Sequence, residues 1–136
     1  MSNSSLQILN TVLDRLGHTL LQYIGESWPW ASPLEPQQHE NILRLVRRQQ
    51  FGADRIAEFL TDRRAVVTLG NYRFDGSPLN YCTIEFVKPQ LIDDETQLIS
   101  ELREAAAEVN GDTGALRLLE QLLSEEEDTL KQLHEL

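Results

Sequence analysis

The sequence predicts an all-α fold, a four-helix bundle of two up-down helix pairs, on three observations. Apolar residues recur every three or four positions along four long stretches, the period of an amphipathic helix. Strong stop signals separate these stretches. The link between the second and third is longer than the other two, which lets the second pair pack beside the first through one crossover.

Ser4 or Ser5 caps the first predicted helix, about residues 5–26, whose inner face reads Leu6, Leu9, Leu13, Leu16, Leu20 and Ile24. Gly25 and Trp28-Pro29-Trp30 stop it. Pro36 suits the first turn of a second helix, about 36–62, with an inner stripe of Ile42, Leu45/Val46, Gln49, Ala53, Ile56 and Phe59/Leu60. The crossover is expected at about 63–78. Residues 65–76 hold β-branched and aromatic residues and an Asp75-Gly76 turn signal, so one reading pairs them as a hairpin with 80–87. The other starts a third helix at about 79, running to 109, because Tyr81, Ile84, Val87, Leu91, Glu95, Leu98 and Leu102 stay in helical phase across Pro89. That helix is the preferred reading. Asn110-Gly111 ends it, and Asp112 or Thr113 caps the fourth, about 112–135, which buries Leu116, Leu119, Leu122/Leu123, Glu126, Leu130 and Leu133.

One domain spanning 1–136 is expected, a length that buries a real core. The formal net charge of −10 is unevenly spread. Residues 93–136 carry 13 acids against 3 bases, whereas 41–64 carry six arginines against Asp54, Glu58 and Asp62. An acidic surface repels phosphate backbones, so nucleic acid is not an expected partner. The opening MSNSS lacks a charged n-region and no apolar run nears the roughly 18 residues of a membrane span. Cys82 is the single cysteine, which leaves no internal disulfide. A cytoplasmic protein with no membrane partner is the expectation.

Polar residues that interrupt the inner stripes are informative, because a polar group facing a core is costly unless satisfied. The second helix places Gln49 and Gly52 there, the third Glu95, and the fourth Glu126 with Thr129 one turn on. The first helix offers no polar residue in register, and the position facing the others is Leu16. Glu125, Glu127 and Asp128, beside Glu126, read as a solvated face.

Four stretches, LNTVLDRLGHTLLQY, RRQQFGADRIAEFL, DDETQLISELREA and LLSEEEDTLKQL, resemble the ferritin-like superfamily in helix texture and connectivity. The resemblance covers most of the chain. It implies a dinuclear iron or manganese site held by one glutamate from each of two helices and a Glu-x-x-His pair from each of the others. Carried over by position, the ligand places fall on Leu16, on Gln49 and Gly52, on Glu95, and on Glu126 and Thr129. Two of these six are carboxylates and none is a histidine. The expectation is therefore a divergent member with a degenerate, vestigial di-metal site, no catalytic residues and no cofactor. Glu126→Leu is then expected to be neutral or stabilising.

The functional expectation is a non-catalytic binding or structural protein, self-associating as a homodimer. Two alternatives stay open. One is an iron- or manganese-binding oxidase or storage protein that uses Glu95 and Glu126. The other is a small-molecule carrier whose core pocket is opened by Leu16 and Gly52. For an interaction surface the candidates are Trp28 and Trp30 at one end of the bundle, and Tyr72, Arg73 and Phe74 in the crossover.

Overall fold

The computed structural model describes residues 3–26, 36–67 and 84–136. Those residues form five helical segments and no strand: α1 (Asn3–Gly17), α2 (Leu20–Glu26), α3 (Pro36–Asp62), α4 (Ile84–Glu108) and α5 (Thr113–His134). α1 packs against α3 and α4, α2 follows the same two neighbours, and α5 lies against α4 and α3. The architecture is a four-helix bundle whose first helix is broken in two, with the longer connection between the second and third members. Within it, residues 84–87 are helical, which rules out their part in a returning strand. The preferred start of that helix at 79–83, the crossover residues 68–78 and Cys82 lie outside the described residues.

The break in the first helix departs from the continuous helix expected over 5–26. α1 ends at Gly17, where the His18 amide turns back to the Arg15 carbonyl at 3.1 Å. Thr19 then opens a new helix. Its Oγ1 accepts the Gln22 amide at 3.0 Å, an N-cap. Asp94 of α4 secures the restart by accepting the Leu20 amide at 2.9 Å while its other oxygen holds the Arg15 guanidinium, also at 2.9 Å. Arg15 in turn reaches Glu101 at 2.7 Å.

The other ends have ordinary causes. α3 closes in a Schellman motif, with Ala65 N donating to Leu60 O and Arg64 N to Thr61 O, both at 2.9 Å. Arg64 occupies the left-handed position, φ 57°, that glycine usually takes. Asp112 caps α5 by accepting the Ala115 amide at 3.2 Å and holds Arg63 from the end of α3. Pro89 lies early in α4, where only the second turn loses an amide.

The core falls into two apolar halves. One is built around Leu9, Leu16, Ile56, Leu98, Leu119 and Leu122, the other around Leu21, Ile24, Ile42, Leu45, Leu91 and Leu133. A layer of buried polar side chains separates them.

Candidate functional site

That layer is assembled from every member of the bundle. Thr19 and Gln22 come from the restart of the first helix, Gln49 from α3, Glu95 from α4, and Glu126 and Thr129 from α5, and all six are buried. The break after Gly17 matters here. A continuous helix would carry the stripe past the layer on leucine alone; restarting at Thr19 turns its hydroxyl inward. The expectation that the first helix contributes no polar group is thereby corrected. A signal was present in the sequence, because Thr19-Leu20-Leu21-Gln22 is a capping-box pattern inside a leucine stripe.

Gln49 is the hub. Its Oε1 accepts from Thr19 Oγ1 at 2.6 Å and from Gln22 Nε2 at 3.1 Å. With the oxygen so engaged, Nε2 faces the acids, donating to Glu126 Oε1 at 2.7 Å and more weakly to Glu95 Oε1 at 3.4 Å. Gln22 is itself fixed by donating to the Val46 carbonyl at 2.9 Å and accepting from Gln50 at 3.0 Å. The amide orientation is therefore set from both ends.

The two glutamates are each 2% exposed and close enough to hydrogen-bond one another. Burial, reinforced by the neighbouring Glu126 carboxyl, pushes the Glu95 pKa up to about 10. Glu95 is thus a neutral acid at pH 7. Among the described residues its Oε2 meets no hydrogen-bond partner.

Thr129, at the position the resemblance gives to histidine, is fully buried and takes a different partner. Arg48 of α3 donates to its hydroxyl, to the Glu125 carbonyl at 3.0 Å and to Asp128 at 2.7 Å. The acids beside Glu126 are not simply solvated. Arg55 pairs with Glu125, Arg48 with Asp128 and Arg103 with Glu127. Leu16 lies in the apolar half beside the layer. Gly52 lies against Leu122, whose Cδ2 sits 2.8 Å from where a Cβ on residue 52 would stand, so leucine occupies the space that a side chain there would need. A groove of about 610 Å³ runs instead along the surface between α1 and α4, floored by Val12, Leu98 and Leu102.

The Ferritin-like domain family model matches residues 6–136, nearly the full chain. The chain belongs to the ferritin-like domain family. No curated protein and no solved structure matches it. Of the six positions that the resemblance gives to metal ligands, Gln49, Glu95, Glu126 and Thr129 are buried in the polar layer and Leu16 and Gly52 are buried beside it, a set whose chemistry does not fit two metal ions. Leu16 and Gly52 have no donor atom, Gln49 presents N–H protons to both carboxyls, and a guanidinium is bound to Thr129. Among the described residues no group of three or more His, Cys, Asp or Glu is placed to hold a metal. Nor is any described helix long and apolar enough to cross a membrane. Trp28, Trp30, Tyr72, Arg73 and Phe74 lie outside the described residues.

Proposed function

We propose that this ferritin-like protein is a non-catalytic binding or structural protein, in which a hydrogen-bonded polar layer takes the place of a di-metal centre and which acts through its surface as a homodimer. One observation carries the reading. The Gln49 amide, oriented by Thr19 and Gln22, points its N–H at Glu95 and Glu126, so a donor proton stands where a cation would have to sit. A metal would need to turn that amide, break its bonds to Thr19 and Gln22, and expel the Glu95 proton. Iron and manganese also favour an imidazole or several ionised carboxylates, which this layer lacks.

Gln49, Thr19, Gln22 and Glu126 bond to one another across the layer, and of the two glutamates only Glu95 Oε2 is left without a hydrogen-bond partner among the described residues. The carrier alternative has less support, since Leu122 fills the space beside Gly52.

Elemental analysis of protein produced with iron, manganese and zinc supplied together tests the proposal. The expected result is metal far below one equivalent per chain, unchanged by Glu126→Ala. Stoichiometric metal that disappears in Glu126→Ala sinks the reading and favours the metal-binding alternative.

A further inference from the structure

The outer face of α3 carries side chains that neither the core nor the polar layer uses. Phe51, near the middle of this 27-residue helix, is 68% exposed. A lone exposed aromatic is unremarkable in itself. Its neighbours along the helix are not arbitrary. Arg44 and Arg47 stand seven and four residues before it, and Asp54 and Glu58 three and seven after it, all exposed. With 3.6 residues per turn the five fall within about 80° of one another, a single stripe. Arg48 and Arg55 lie at its edge and are turned towards α5, where Asp128 and Glu125 hold them. Arg44 is bonded to the neutral side chains of Asn41 and Gln132.

The charges of this stripe reverse about Phe51. A two-fold axis through Phe51 and perpendicular to α3 exchanges each offset with its opposite. It sets Arg44 against Glu58 of a second copy, Arg47 beside Asp54, and Phe51 on Phe51. An isologous contact needs a surface complementary to itself under such a rotation, and this stripe is. Parallel pairing would oppose arginine to arginine instead. Glu40 and Asp62, the next exposed charges outward, are both acidic, but they lie about 16 Å from the axis, where crossing helices have diverged.

We infer that this stripe is the contact face of an antiparallel homodimer, with Phe51 stacked on Phe51 of the second copy between ion pairs from Arg44 to Glu58 and from Arg47 to Asp54. The inference rests on the self-association proposed above and adds the face. One aromatic pair and four rim ion pairs make a weak contact that salt weakens further.

Analytical ultracentrifugation of the full chain from roughly 1 to 500 μM spans the range over which such a contact dissociates. A concentration-dependent dimer is expected, weakened about tenfold or more by Phe51→Ala or by raising salt from about 50 to 500 mM. The decisive variants reverse charge: Arg44→Glu with Arg47→Glu in one, Asp54→Arg with Glu58→Arg in the other. Each alone is expected to stay monomeric with unchanged helical circular dichroism, while an equimolar mixture forms a dimer holding one copy of each. A dimer indifferent to all these changes keeps self-association and overturns the face. A wild-type chain monomeric at every concentration overturns both. Charge variants that fail to pair when mixed also overturn the face.

Discussion

Glu95→Gln isolates the energetic cost of the proton held in the polar layer. In the folded chain the Glu95 pKa is near 10, against an ordinary value of 4.5. Below pH about 4.5 folded and unfolded chains both carry the proton and the group is silent. Between the two values only the folded chain carries it, so folding takes up a proton and stability falls as pH rises. The limiting slope is about 1.4 kcal/mol per pH unit. At pH 7, well above the unfolded value, this amounts to at most about 3 kcal/mol against folding. Glutamine preserves the shape, a carbonyl oxygen for Gln49 and an N–H for Glu126, without the proton. It is expected to stabilise by about 1–3 kcal/mol at pH 7, a rise of about 1 M in urea midpoint. The gain should vanish near pH 4.5 and grow towards pH 9. Urea unfolding of both proteins at pH about 5, 7 and 8.5 measures it. A difference that stays constant with pH, or one that turns against the variant as pH rises, refutes the argument that Glu95 folds as the neutral acid.

Four further outcomes are expected. Gln49→Glu restores the glutamate that the family resemblance asks for and crowds three carboxyls into one layer; it should cost about 3 kcal/mol or more at pH 7 and be the one protein here whose melting temperature rises with added Mn²⁺. Gly52→Ala gains about 1 kcal/mol of helix propensity but drives a Cβ to 2.8 Å from Leu122 Cδ2, so a net loss of about 1 kcal/mol is expected, recovered in part by adding Leu122→Val, as thermal melts of the single and double variants would show. Asp94→Asn weakens the grip on Arg15 and on the Leu20 amide at once; a loss of about 1 kcal/mol should appear in hydrogen exchange as reduced protection of α2, with α5 unaffected. Arg64→Gly relieves a left-handed residue in the Schellman motif and should stabilise by about 0.5–1 kcal/mol in chemical denaturation.

The α3 stripe, the Asn110-Gly111 stop and the Asp112 cap were legible because each follows from local chemistry: period, turn propensity and a capping side chain. Glu126 was legible for a related reason, since it stands in phase with Leu119, Leu122 and Leu133. Thr19 and Gln22 escaped because a 3.6-residue count run straight through Gly17 and His18 keeps leucines in register and hides the break. What fixes the break is the Asp94 carboxylate, which is 74 residues from Leu20 in sequence. The amide orientation of Gln49 was likewise invisible, because it is settled by partners on three different helices. The structure also changes the expectation for Glu126→Leu. That change removes the acceptor of the Gln49 N–H and the neighbour of the Glu95 proton, so it should cost about 1–3 kcal/mol rather than nothing.

The two-halved core has a consequence for how the helices find their alignment. Leucines line the interior on both sides of the layer, and apolar contacts have little sense of direction. Sliding one helix past its neighbours by a turn, about 5.4 Å, would still set leucine on leucine over much of its length. It would also strand Gln49, Thr19 and both glutamates among methyl groups, where each unmatched polar group costs about 1–3 kcal/mol. The polar layer is thus a notch cut into an otherwise repetitive key, and it admits one alignment of the bundle in the way a buried asparagine fixes the register of a coiled coil.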